Sequence, residues 1–242
     1  MDETRVKTGI SGLDQMLQGG FLPGSVILLR GAPGTGKTSI ALQFLLEGAQ
    51  HGEPGLFITF EEFPHSLYRD AESLGFDLRG MEVAGKLHII FTSPAVLLRS
   101  IKDQESPIYR SILDNNIHRV VVDSMSHFGR LTDNAEVLRQ TCATVVNGLH
   151  REQLTTLMLS EETRSRHRST DAGGLSYLSD GVILLRYVEV ESAMQRAIVV
   201  LKLRGSDHAR EIRYYEIRNG GIAVGEVFQH RGAILSGISR RD

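Results

Sequence analysis

"GAPGTGKT", Gly31 to Thr38, is the stretch that decides the fold. It matches G-x-x-x-x-G-K-[ST] at every position. Glycines let backbone N–H groups curl around phosphate oxygens with no Cβ in the way. Lys37 then neutralises the β- and γ-phosphates, and the Thr38 hydroxyl is a ligand for Mg²⁺. Gly34, Thr35, Gly36 and Ser39 complete the predicted cradle for ATP. Such a loop needs a buried strand before it and a helix after it, whose positive end faces the anion. Both are legible. "SVILLRG", Ser25 to Gly31, is an apolar run ending in glycine. From Lys37 to about Gln50 the residues Ile40, Ala41, Phe44, Leu45 and Ala49 keep helical spacing.

Outward from the loop, strands and helices alternate. "GLFITFEE" (55–62), "KLHIIF" (86–91), "RVVVDS" (119–124) and "LTTLMLS" (154–160) read as strands. Helices are opened between them by Pro64, by Ser106-Pro107, and by Asp133 with Glu136 in a capping-box pattern. The last helix carries an inner stripe of Val137, Leu138, Thr141, Cys142, Val145, Val146 and Leu149. This alternation implies a parallel sheet with helices on both faces. After about residue 180 the pattern changes to "GVILLRYVEV", "RAIVVLKLR" and "EIRYYEI" with short turns between them. Asn219-Gly220-Gly221 signals a hairpin before "IAV". The predicted fold class is α/β: a P-loop NTPase core with a mostly parallel sheet flanked by helices, and an antiparallel C-terminal β extension. One domain over 1–242 is expected, with 226–242 a tail too short for a domain, read as an interface or partner-binding segment.

Composition narrows the function classes. The 242 residues are 41% hydrophobic with a formal net charge of −2, so no global basic field recruits nucleic acid and only local patches remain. A single cysteine, Cys142, cannot form an intramolecular disulfide and falls on an apolar helix face. No run approaches 18 apolar residues and the N-terminus "MDETRVKTG" is polar. Neither a membrane span nor a secretory signal is expected, and a reducing cytoplasm fits. The nine histidines lack metal-ligand spacing, so no zinc is expected.

Three further constellations carry chemistry. Asp123 closes a parallel strand beside the loop, where a carboxylate holds the Mg²⁺ shell, often through water. Glu61 and Glu62 close another, where one of them can orient or deprotonate water and Glu61 is also a candidate metal ligand. Adjacent residues of a strand point to opposite faces, so the pattern leaves open which one is the base. "LKLRGSDHAREI", Leu201 to Ile212, places Lys202 and Arg204 two apart on one face, as two cations suited to charge spreading from a γ-phosphate. The competing reading is a solvated edge strand whose charges discourage aggregation.

Together the phosphate loop, "TFEE", "VVVDS", "SDGVILLRYVEV" and "LKLRGSDHAREIRYYEI" resemble the KaiC-like ATPases of the RecA-like superfamily, from about Thr8 to Val224. The resemblance implies a RecA-like core assembling into a homo-oligomeric ring, usually a hexamer, with Mg²⁺-ATP between subunits. It implies that Lys202, Arg204 and His208 reach the triphosphate bound by the neighbour's Lys37 and Thr38. Leu203 and Ser206 would contact the nucleotide, and Arg196 occupies the position of another contact made across the interface. Departures qualify this. The clock ATPase carries two such domains and this chain has one, which implies a single-domain relative rather than the complete clock protein. An adjacent Ser-Thr pair that is phosphorylated in one half of that protein aligns with Ser176 and Tyr177, so the two-site cycle is not expected and autokinase activity on Ser176 ranks below hydrolysis. An aromatic that stacks on adenine is replaced by Leu74, which points to looser base selectivity.

The leading expectation is therefore a slow ATPase in signalling or regulation, with a protein partner. A second is a recombinase-like ATPase that grips single-stranded DNA through Arg164, Arg166 and Arg168, in a loop that also holds Glu161, Glu162 and Asp171 and has no stacking aromatic. A third is a scaffold that binds ATP without hydrolysing it, against which the intact Glu61/Glu62 pair argues.

Overall fold

The computed structural model describes residues 5–162 and 174–228. The chain opens with α1 (Ser11–Met16), β1 (Val26–Gly31), α2 (Lys37–Gln50), β2 (Gly55–Thr59), α3 (Pro64–Ser73), α4 (Leu78–Val83) and β3 (Leu87–Phe91). There follow α5 (Pro94–Lys102), α6 (Pro107–Asp114), β4 (Arg119–Asp123), a 3₁₀ turn (Met125–Arg130), α7 (Ala135–Arg151) and β5 (Thr155–Glu161). The last section is α8 (Leu175–Leu178), β6 (Gly181–Val190), β7 (Ala193–Leu203), β8 (Arg213–Arg218) and β9 (Gly221–Val227).

The strands form one sheet in the order β3-β2-β4-β5-β1-β6-β7-β8-β9. β1 to β6 run parallel, and β6 to β9 form an antiparallel meander. This is the α/β architecture with an antiparallel extension that the sequence predicts. All parallel strands end on one edge, so Gly31, Thr59, Phe91, Asp123 and Glu161 share it. β1 is buried on both faces, as its apolar run Val26 to Leu29 requires. Ile27 and Leu29 join the core under α1 and α2, while Val26 and Leu28 join the core under α5 and α7.

Several local expectations shift. The strand ending in "TFEE" stops at Thr59, because Glu62 N–H and the Thr59 hydroxyl close a tight turn at 3.2 Å. The cap of α7 is Asn134, whose side chain accepts from the N–H groups of Glu136 and Val137, in place of Asp133. Val137 then falls on the exposed side of the helix, while Cys142, Val145, Val146 and Leu149 are buried. Ser106 caps α6 as its spacing predicts. α4 and α5, not anticipated, are capped by Asp77 and Ser93. The tail from 229 onward and the loop with Arg164, Arg166 and Arg168 lie outside the described residues. No helix among the described residues is long and apolar enough to cross a membrane.

Candidate nucleotide site

The loop between β1 and α2 is shaped by two left-handed glycines, Gly34 at φ 77° and Gly36 at φ 86°. A Cβ on Gly36 would stand 2.7 Å from Ile217 Cδ1 of β8, so both backbone and packing demand glycine there. Thr35 is fully buried, and its hydroxyl donates to Ala32 O at 2.7 Å. Lys37 folds back over the loop, donating to Gly31 O at 3.0 Å and Ala32 O at 3.2 Å. Burial lowers the Lys37 ammonium's pKa, while Glu161 and Asp123 pull it back up.

Thr38 and Ser39 open α2 facing the same edge. Thr38 Oγ1 donates to Asp123 Oδ2 at 3.3 Å, joining the start of α2 to the end of β4. Asp123 is held up at about 6, first by burial and then by the charge of Glu62. Glu62 is itself raised, by burial and then by Asp70 and Glu61. Glu61 turns away: its carboxylate is 65% exposed and meets the buried His127 Nε2 at 3.1 Å. The two glutamates thus have different partners, and Glu62 acts on Asp123 more strongly than Glu61 does.

These residues fit a hard divalent cation. Thr38 and Asp123 offer a hydroxyl and a carboxylate whose pKa is raised by burial and by the charge of Glu62. Among the described residues no three His, Cys, Asp or Glu side chains gather to hold an ion. A cation here would therefore depend on phosphate oxygens and water for the rest of its shell, as Mg²⁺ does.

The remaining candidates sit elsewhere. β6 pairs Gly181 with Ile27 and Leu185 with Gly31, and β7 pairs Leu203 with Gly181. Lys202, Leu203 and Arg204 are thereby at the edge opposite the phosphate loop, about 13 Å away along the strands. Leu201 is bulged out where the β6–β7 register slips. Lys202 Nζ donates to Ser176 O (2.9 Å) and Ser179 O (2.6 Å), and Arg204 donates to Tyr177 O (2.8 Å). Both cations therefore reach the same end of α8, where Ser176 and the 74% exposed Tyr177 lie. Ser206 Oγ accepts from Arg5, and His208 Nδ1 is 3.0 Å from Ala209 O in the turn beyond. Arg196 does not gather with this group. It pairs with Tyr187 and Tyr215 near the chain's own loop, with its guanidinium 5.5 Å from the Tyr187 ring centroid. Leu74 caps α3 and accepts from Gly220 N–H at 2.8 Å, next to the β8–β9 hairpin.

Sequence reasoning missed Tyr187 and Tyr215, whose hydroxyls donate to the loop carbonyls of Gly34 and Thr35. It also missed His127 on Glu61, and Glu161 beside Lys37. Glu161 was within reach, since β5 ends on the loop's edge like β2 and β4. No local pattern marks the tyrosines.

The family model described as "ATPase: KaiC" matches residues 6–228. The chain belongs to the KaiC family of ATPases. It is 35% identical over 240 residues to the circadian clock oscillator protein KaiC of Picosynechococcus, covering 98% of this chain and 46% of that protein. The KaiC of Thermostichus vulcanus is also 35% identical, with 98% and 45% covered. The chain thus spans about half the length of these relatives. A solved KaiC-like protein from Pyrococcus horikoshii superposes with TM-score 0.81 at 32% identity, covering 92% of this chain and 99% of that one. The KaiC-like architecture is the RecA-like P-loop fold, in agreement with the sheet order and loop above.

Proposed function

We propose that this KaiC-family chain binds Mg²⁺-ATP on its own phosphate loop and hydrolyses it with Lys202 and Arg204 supplied by a neighbouring subunit of a ring. The observation that carries this reading is the β1–β6–β7 register. Two cations stand together at the edge opposite their own loop, farther from it than either side chain spans. They cannot serve their own triphosphate. Head-to-tail stacking of identical subunits brings that edge to another copy's loop, and such a contact forms a ring where its rotation closes.

In this site the N–H groups from Gly34 to Ser39 and the Lys37 ammonium hold the phosphates. Thr38 and Asp123 would hold the cation, which when bound would supply positive charge to the transferring phosphoryl oxygens. Glu62, raised and half-buried beside Asp123, takes the proton of the attacking water. Glu61, fixed by His127, orders the approach to that position. Arg204 and Lys202 neutralise the charge that spreads in the transition state. Arg196 stands at its own subunit's nucleotide. The relatives are named as clock oscillator proteins, which supports a nucleotide-dependent regulatory switch in place of a motor.

The test is phosphate release against protein concentration, with scattering mass measured in parallel, on mixtures of wild type and Arg204→Ala. Activity should rise with assembly, and each variant subunit should sharply lower, without abolishing, hydrolysis at its neighbour's intact loop. A monomer that hydrolyses ATP at full rate, with Arg204→Ala unaffected, overturns the shared site.

A further inference from the structure

Asp180 ties together the edge of the sheet that carries Arg204. Its N–H donates to Val26 O at 2.8 Å, and its carbonyl accepts from Arg204 N–H at 2.8 Å. Its side-chain Oδ2 accepts from Val26 N–H at 2.8 Å and meets His150 Nε2 at 2.7 Å. Two contacts on one oxygen fix the plane of the carboxylate, and they aim Oδ1 at Arg204 NH1, 3.7 Å away. The chemistry proposed above uses neither Asp180 nor His150.

An exposed arginine has many rotamers, and an arginine that must meet a phosphoryl group gains from being held near its working geometry. The Arg204 side chain is 56% exposed. It is restrained from two sides, by Tyr177 O and by Asp180 Oδ1. The carboxylate lies beyond close hydrogen-bond distance, so the guanidinium is guided without being consumed in a tight ion pair. The anchor of this guide is Val26 at the start of β1 with the last turn of α7, where Val26 and Leu149 are packed into the core.

We propose that Asp180, clamped by His150 and the Val26 N–H, is a positioning residue that sets Arg204 for the neighbouring subunit's ATP. This inference rests on the shared-site reading, and its test separates the two. Asp180→Asn keeps an acceptor for Val26 and removes the charge that faces Arg204. Assembly mass and KM for ATP should stay within about twofold of wild type while kcat falls about tenfold. In an Arg204→Ala background the same substitution should change kcat no further, because the group it positions is gone. An unchanged kcat, or an equal loss in both backgrounds, reduces Asp180 to a structural anchor and overturns the proposal. Failure of the shared site shows separately, as an Arg204→Ala single variant with wild-type kcat. Should Asp180→Asn not assemble, His150→Ala is measured in the same two backgrounds. Its loss of kcat should likewise vanish without Arg204, and a loss that persists there overturns the inference.

Discussion

Tyr187 Oη donates to the Gly34 carbonyl at 2.6 Å, across 153 residues of sequence. Tyr215 does the same for Thr35 from β8. The phosphate loop is thus gripped from the side by the antiparallel extension, which the loop's own pattern does not include. A Cβ on Gly34 would stand 2.9 Å from the Tyr187 hydroxyl, so this grip and the glycine specify each other.

Tyr187→Phe removes one bond and leaves the ring under Arg196. It should cost at most about 1 kcal/mol of stability. The loop shape it supports binds substrate and transition state alike, so KM for ATP should rise several-fold with kcat little changed. Steady-state kinetics beside thermal melts check this. An unchanged KM would show that the loop holds its shape unaided.

The two adjacent glutamates should separate on substitution. Glu62→Gln keeps the shape but cannot accept a proton, and should lower kcat by about 10²-fold or more. Glu61→Gln weakens the contact with His127 and removes a charge that acts on Asp123 less strongly than Glu62 does, and should have the smaller effect. Single-turnover hydrolysis of both variants decides between them. The reverse ranking would make Glu61 the base.

How much of this could be read beforehand follows from the range of each interaction. The loop, its flanking strand and α2 depend on residues within about 25 positions of one another, and α2 begins and ends where the spacing predicts. β6 also spans the residues quoted for it, Gly181 to Val190. Asp123 and the glutamates were placed by a topological rule, that parallel strands end together. The Asn134 cap was misassigned by one position, because Asp133 and Asn134 are both good capping residues and only the chain's path selects one. The site's lateral restraints are another matter. Tyr187, Tyr215 and His127 act through contacts fixed by sheet order and register, and side-chain pattern along the chain does not encode those. The position of Lys202 and Arg204 at the far edge likewise needed the β6–β7 register, although their pairing on one face was visible.

The layer of helices over the second core has its own test. Gly148 of α7 lies so close to α5 that a Cβ would stand 2.1 Å from Ile101 Cγ2. Gly148→Ala improves helix propensity yet overpacks this crossing. A net loss of about 1–3 kcal/mol is expected by denaturant titration, with ATP hydrolysis per folded molecule unchanged. A neutral or stabilising result would mean that α5 yields at this contact.

Asp123 sets stability and cation binding against each other. Its carboxyl is pushed up to about 6 by burial and by Glu62. The unfolded chain releases the same proton near its ordinary value of about 4. Between those values the folded state holds one proton more, so this group's contribution to stability falls as pH rises from about 4 to about 6. Above pH 6 a buried charge remains, at a cost of up to about 3 kcal/mol. Asp123→Asn removes that cost. The nucleotide-free variant should therefore melt above wild type at pH 8, and the gap should close as pH falls toward 4. Cation binding moves the other way, because Mg²⁺ needs the carboxylate. Mg²⁺-dependent ATP affinity in wild type should weaken as pH falls through about 6, and the Asn variant should lose its Mg²⁺ dependence at every pH. Melting curves and nucleotide titrations from pH 5 to 8 measure both trends. A gap in melting temperature that stays constant over that range would show that the buried charge lies elsewhere in the site.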